Sequence, residues 1–579
     1  MAKSIDYLIK KRETLKTLRE PWNSQFEILA RYIYSRKVEF QNEVSPGDFL
    51  NDGSINDSTA SRSLQAMASA LMGSLWKNGG KTFRLKRPDG IANNDINKEF
   101  YTKINKAITK AMESEKAGFE LAFQESLCEQ GAFGTGIPCV FEGDYKTPLV
   151  FKCWALQNCY IAESKDEFID TIYYDQKMTV QQLVDKYGLD NVSEKARELY
   201  KKDNACQDKL TVCVAIEPRN NYEKKEAAPE SNKAMEYSSC HFEVENKHVV
   251  KESGYSEIPA KVSRWYKLAS EVYGRSPGMD ALPTIVQLNA MKESFIVGVE
   301  KKTEPPLFVL DDGSLGATTV DTSAGGLSVF NMSGRLNSQQ PVGTIFDIGE
   351  LQSLILAIEA SKLEVLNHFL IDKLYDLNNK TRMTLGEAEI RYDIRSDSLS
   401  SVYARIFNEQ LTPLIERSFN ILFAMGLMGI VEEDDEKRNI LEKNGIDPII
   451  IPPEIAEAML KGKDVYEIEY ISPAARLLRE AEKRGVTEVV NAVVALVPVY
   501  PDVIDTINIY ETMEVIRNLG GAPESMMRSL DDAMARGQAR ATAQAEAQQA
   551  EMAKVQSEAA KNVGATTADV VNAGQPRVR

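Results

Sequence analysis

The run GAFGTG, Gly131 to Gly136, has the glycine content of a loop that could cradle a phosphate. A phosphate loop also needs a following Lys and a Ser or Thr to hold magnesium; here Ile137 and Pro138 follow, and a helical pattern precedes. A glycine-rich turn between that helix and a strand starting at Pro138 is the favoured reading. The acidic run Glu432, Glu433, Asp434, Asp435 and Glu436 could attract a cation. Adjacent carboxylates diverge, however, whereas an EF-hand loop spaces its oxygens around a central Gly and ends on Glu. The run reads as solvated charge, with a weak cation or partner site as the alternative.

Conventional catalytic equipment is sparse. There are three histidines (His241, His248, His368) and seven cysteines (Cys128, Cys139, Cys153, Cys159, Cys206, Cys213, Cys240), none at metal-ligand spacing and none in C-x-x-C. The cysteines read as free thiols of a protein made in a reducing cytosol. No H-E-x-x-H and no plausible Cys–His pair appears, so neither an enzyme nor a cofactor is expected. One constellation is positional: Lys301, Lys302, Lys373, Lys380 and Arg382 gather near the breaks that flank two central helices. If those helices line a channel, the five would meet DNA phosphates as a belt on an acidic wall. The alternative is that they are helix C-terminal charges favoured by the helix dipole.

The elements that position these residues follow from periodicity. Residues 5 to 40 read as helix with a break at Pro21. Asn56, Asp57 or Ser58 caps a second helix reaching Trp76, and two more carry Phe100, Ile104, Ile108, Met112 and then Phe119, Phe123, Leu127. A strand-like KTFRLKRP precedes those two. From about 138 to 268 the runs PCVFEG, PLVFKCWAL, FIDTIYYDQ, LTVCVAIEP and HFEVENKHVV predict an α+β region. It carries one helical insertion, VQQLVDKYG, and an exposed hairpin loop, NNYEKKEAAPESNKAMEY. ALPTIVQLNAMKESFIVGVEKK is a helix stopped by EPP. Residues 305 to 347 form a small module with strands LFVL and LSVF, and a helix from Glu350 bears Leu351, Leu354, Ile355, Ile358, Val365, Leu366, Phe369 and Leu370. After DLNNKTRMTLGE a very long helix is expected from Glu387 to Met428, kinked at Pro413. The turn DPIIIPPE, a helical block from 473 to 535 and an Ala/Gln/Glu-rich tail, exposed helix or disordered, complete the chain.

At 579 residues several cores are expected. The 43% hydrophobic and 27% charged content excludes a wholly disordered or fibrous chain. A net charge of -16 argues against tight, counterion-driven DNA binding, but suits a duct through which a duplex slides. The N-terminal MAKSIDYLIKKRETLKTLRE lacks the apolar core of a signal peptide, and no apolar window reaches the roughly 18 residues of a membrane span.

In order along the chain, INDSTASRSLQAMASALMGSLW, QGAFGTGIPCVFEG, YGRSPGMDALPTIVQLNAMKESFIVGVEKKTEPP, TRMTLGEAEIR and YISPAARLLREAEKRGVTEVV resemble the head-to-tail connector, or portal, family of short-tailed bacteriophages (podoviruses). The resemblance runs to about residue 535. It implies a mainly helical α+β portal fold with wing, stem, clip and crown regions, assembled as a dodecameric ring around a central channel. On this chain, 1–276 would be the N-terminal wing, 277–302 and 350–375 the stem helices, 303–349 the clip and 376–386 the tunnel loop. Residues 387–472 would be the long wing helix and its return, 473–535 the crown, and 536–579 a helical barrel or a disordered tail. The ring would sit at one capsid vertex of the virion, after assembly in the host cytoplasm. Double-stranded DNA would be packaged and ejected through it. The implied partners are a terminase motor, major capsid and scaffolding proteins and tail adaptor proteins, with no membrane and no cofactor. Two alternatives stay open: another structural virion component such as a head–tail adaptor, and a packaging-associated nucleotide hydrolase or nuclease using GAFGTG and the acidic run.

Overall fold

The computed structural model describes residues 4–34, 40, 55–76, 82–88, 90–92, 94–201, 207–219, 235–311, 320–331, 342–346, 349–375, 399–432, 434–496, 498, 500, 508–520 and 530–573. Helix α1 (Ile5–Tyr32) starts at Ser4, whose side chain accepts the Tyr7 amide. It runs through Pro21 without the expected break and ends near residue 32, not 40. A mid-helix proline costs about 3 kcal/mol. The seam Leu8, Leu15, Arg19, Phe26 and Leu29 is buried on both sides of Pro21, and that continuous burial holds the helix together.

Next come α2 (Thr59–Leu75), β1 (Phe83–Lys86), α3 (Asp95–Met112) and α4 (Phe119–Phe133), in line with the periodicity. Asp57 does the N-terminal work for α2, taking the Thr59 amide at 2.7 Å, while Ser58 makes no side-chain cap bond. Strands β2 (Thr135–Gly136), β3 (Pro138–Glu142) and β4 (Leu149–Cys153) follow, with β3 and β4 antiparallel.

The α+β expectation is met by a five-stranded antiparallel sheet of β5 (Cys159–Glu163), β6 (Ile169–Thr179), β7 (Lys209–Pro218), β8 (Tyr237–Glu243) and β9 (His248–Tyr255), in chain order. Its two faces bury different partners because strand side chains alternate. Cys213, Ala215, Tyr173 and Phe242 pack under α1 through Leu8 and Leu15. Val212, Leu210, Met178 and Val250 pack against α5 (Val180–Tyr187) and α6 (Glu194–Tyr200). The short α6 was not anticipated. HFEVENKHVV, read as one run, is the β8–β9 hairpin. Most of the expected loop between β7 and β8 lies outside the described residues, although those strands do pair antiparallel.

After β10 (Ser263–Arg264), which pairs with β2, comes α7 (Pro277–Thr303). The module beyond it holds β11 (Leu307–Asp311), β12 (Leu327–Asn331) and β13 (Val342–Thr344). Here β11 runs parallel to β12 and antiparallel to β13. The helix expected over 350–375 is two: α8 (Gln352–His368) and α9 (Ile371–Tyr375). Leu370 separates them with a φ of 57°, left-handed backbone that a helix cannot contain. The helix from Glu387 is described only from residue 399. Instead of a simple kink at Pro413 it contains a π-turn, Phe407–Leu411, leading into the helix Thr412–Ala424 with Pro413 in its first turn.

Asp435–Lys443, Pro453–Leu460 and strand β14 (Glu467–Tyr470) follow, and β14 pairs with β1. The block expected at 473–535 is interrupted, forming helices Pro473–Leu496 and Ile509–Gly520. The tail is the helix Leu530–Ala573, exposed throughout 534–556, which meets the exposed-helix alternative.

The chain divides into two compact units: Met1–Arg84 with Asn105–Ile449 and Tyr470–Leu478, and Leu85–Ile104 with Ile450–Glu469 and Arg479–Arg579. In the second, Asn97 Nδ2 donates to Glu454 (2.8 Å) and the Tyr101 hydroxyl to the Val465 carbonyl (2.6 Å).

Candidate nucleic-acid interface

Three of the five basic residues are described, and α7 and α9 carry them. Ser276 fixes the start of α7 by accepting the Met279 amide at 2.9 Å, with Pro277 preset for a first helical turn. The first half of α7 buries Met279, Ala281, Ile285 and Leu288. Asn289 anchors it further, its Oδ1 accepting the Asn56 and Asp57 amides at 3.0 and 3.2 Å. Beyond Lys292 the helix leaves the core, and Ile296, Val297 and Val299 are exposed. Leu351 stands against Gly298, and α8 runs back along α7 burying Ile358, Ser361 and Val365 but exposing Leu356 and Leu363.

Lys301 and Lys302 occupy the last turn of α7, where unpaired carbonyls favour positive charge. The Lys301 ammonium lies 5.6 Å from the centre of the Phe346 ring, while Lys302 is exposed. Lys373, half-buried on α9, sits beyond the other end of the 17-residue α8, a helix about 25 Å long at 1.5 Å per residue. The geometry therefore puts the described lysines on two levels of the helix pair. Lys380 and Arg382 lie outside the described residues. Such lysines can pair with phosphates singly, as mobile point charges, without reading a base edge.

GAFGTG is a helix C-terminus turning into a strand. Gly131–Phe133 end α4, Gly134 takes a φ of +82°, and Thr135–Gly136 is β2. Carbonyls rather than amides project from that helix end, the wrong polarity for phosphate. The glycines serve close packing: a Cβ on Gly134 would lie 2.3 Å from the Gly274 carbonyl oxygen. In the acidic run Asp434 caps the helix Asp435–Lys443 by accepting the Lys437 amide at 3.1 Å, and Asp435 faces Arg438 at 3.5 Å. Glu433 is outside the described residues. Among the described residues no group of His, Cys, Asp and Glu is arranged to hold a metal.

The described cysteines are all free thiols. Burial pushes the Cys139 and Cys213 thiols well up, away from nucleophilic use. Burial likewise pushes His241 down to about 3, helped by Lys186 and Lys251, so its ring is neutral between the Tyr187 hydroxyl (2.8 Å) and Ser239 Oγ (3.3 Å).

Sequence reading passed over a buried polar set. Gln410, on the π-turn, donates to Ser126 Oγ at 3.0 Å and accepts from Gln130 Nε2 at 2.9 Å. The available signal was a glutamine inside an apolar helical stripe.

Against known proteins, the family model described as "Bacteriophage head to tail connecting protein" matches residues 6–527. The chain is 25% identical over 577 residues to a "Probable portal protein" of Bordetella phage BPP-1, covering 98% of this chain and 96% of that one. It is 23% identical over 567 residues to a "Portal protein" of Salmonella phage epsilon15, covering 96% and 95%. Among solved structures, a chain from the "Virion of native gene transfer agent (GTA) particle" aligns with 67% of this chain and 90% of its own length. That alignment has 10% identity and a TM-score of 0.28.

Proposed function

The chain belongs to the bacteriophage head-to-tail connecting protein family, and from that premise we propose that it is the portal of its virion, a structural component rather than an enzyme. The carrying observation is the match to two portal proteins over almost their whole lengths. In this reading identical copies close into a dodecameric ring at one capsid vertex, and double-stranded DNA enters and leaves through its channel. The ring meets the terminase motor and tail adaptors on one side and the capsid and scaffolding proteins around it, after assembly in the host cytoplasm.

The α+β region up to residue 276 serves as wing, and α7 with α8 and α9 as stem. The β11–β13 module is the clip, 376–386 the tunnel loop, 387–472 the return to the wing, 473–535 the crown, and the terminal helix a barrel segment. Support for the stem comes from the α7–α8 pair, which leaves Ile296, Val297, Leu356 and Leu363 uncovered by its own chain. A ring made from one repeated contact would bury such ridges on every copy. Electron microscopy of the purified protein tests the reading. Rings with a central hole wide enough for duplex DNA are expected. Filled but tailless heads on deletion of the gene, in place of empty ones, would instead indicate an adaptor.

A further inference from the structure

Two rows of buried residues run through 399–418 in steps of four: Leu399, Tyr403, Phe407, Leu411, Ile415 and Val402, Ile406, Gln410, Leu414, Ser418. In a regular α-helix of 3.6 residues per turn, a row stepping by four drifts by roughly 40° per step. Four steps would carry it roughly 160° round, from the core to the opposite face. The π-turn at Phe407–Leu411 underwinds the chain at the middle of the rows and lets both halves face the core. Relaxing it to α would rotate one half against the other by roughly 100°, the angle per residue.

Apolar burial alone does not choose where that extra residue sits, because a turn moved by one position still buries most of both rows. Polar groups do choose. Gln410 reaches Ser126 Oγ (3.0 Å) and Gln130 Nε2 (2.9 Å) inside the core, and the neighbouring Glu409 accepts the Arg264 amide (2.8 Å) and faces Arg405 (3.2 Å). Pro413 has no N–H to offer the Glu409 carbonyl, so the α pattern is already broken at that step. GAFGTG makes the receiving site: a Cβ on Gly136 would lie 2.4 Å from Ser126 Oγ and 3.0 Å from Gln130 Cγ.

We infer that Gln410, Gln130 and Ser126 form a register pin, a buried polar contact that fixes the π-turn at one position and so sets the rotation of the helix entering from residue 399. It is the intrachain counterpart of a single buried polar residue that fixes coiled-coil register. Tyr403, whose hydroxyl donates to Ser74 Oγ at 3.1 Å, lies on the segment so oriented. On the portal reading, on which only this last step rests, the pin orients the stretch joining the tunnel loop to the wing.

The test is amide hydrogen exchange on the full-length purified protein, resolved to residues 399–411 and 414–424. Gln130→Leu with Gln410→Leu keeps side-chain volume and removes the polar choice. The expected result is a wild-type unfolding midpoint or higher, with exchange over 399–411 faster by about tenfold or more while 414–424 is unchanged. Ser126→Ala, which removes the hydroxyl that accepts from Gln410 and leaves both glutamines, gives the same change to a smaller extent and decides the matter if the double variant does not fold. Wild-type exchange over 399–411 in the folded variants overturns the pin. DNA-filled heads counted with the same variants address the last step separately: normal filling alongside fast exchange leaves the pin standing and removes its link to the tunnel loop.

Discussion

Arg12 shows how a charged residue can belong to a core. It is 7% exposed on α1, and its Nε donates to both carboxylate oxygens of Asp175 on β6 at 2.9 and 3.1 Å. Burial works against the guanidinium charge, but the hydrogen bond and charge of Asp175 outweigh it and hold the group above its ordinary value. Asp175→Ala leaves the buried Arg12 guanidinium with the exposed Glu13 as its carboxylate, so it should cost about 3 kcal/mol in urea denaturation. Replacing both Arg12 and Asp175 by apolar residues should cost less than Asp175→Ala alone. His241 predicts a pH effect. Its folded value of about 3 lies below the ordinary 6.5, so between those pH values the unfolded chain binds the extra proton and stability rises with pH. From pH 7 down to pH 5 the loss should be about 2 kcal/mol, seen as a falling thermal midpoint. His241→Gln should flatten that slope; an unchanged slope would show that other groups carry it.

Elements were legible where periodicity and burial agree. α2, α3, α4 and α7 stand where the apolar spacing puts them, since α2, α3 and α7 turn an apolar face to the core and α4 buries its second half all round, from Ser126 to Phe133. Pro21 misled because a proline's local cost says nothing of the buried seam on either side of it. Leu370 was invisible because leucine gives no sign of left-handed backbone, and α6 because seven residues hold too little pattern. The π-turn was written in the period of exactly the residues that suggested one long helix, four instead of 3.6. GAFGTG offers a prediction at this scale. Gly134→Ala combines a left-handed φ, which costs about 1–2 kcal/mol, with a backbone clash against Gly274 whose overpacking adds about 1–3 kcal/mol. Chemical denaturation should show a loss within the sum of those ranges, and the purified parent should show no ATP turnover for the substitution to abolish. Measurable turnover lost in Gly134→Ala would revive the phosphate-loop reading.

At the scale of the whole molecule, the proposed portal role would make a net charge of -16 coexist with a polyanion moving through the assembly. Repulsion between an acidic wall and phosphates prevents sticking, and a few cations at chosen heights can retain the duplex without gripping it, because each phosphate contact adds only one released counterion. The two levels at Lys301–Lys302 and Lys373 suit that division, whereas a helix-dipole role asks only that each lysine end its own helix. The two roles separate in one experiment. Lys301, Lys302, Lys380 and Arg382 changed together to Gln should leave rings intact by electron microscopy, since Lys302 is exposed and Lys301 rests on a partly exposed ring. DNA-filled heads should fall in number, or lose DNA faster as salt is raised, because screening weakens whatever phosphate contacts remain. Intact rings with normal filling at every salt concentration would assign these residues to helix ends alone. Lys373→Gln, tested by itself, then reports whether the level at the far end of α8 acts on DNA independently of the other.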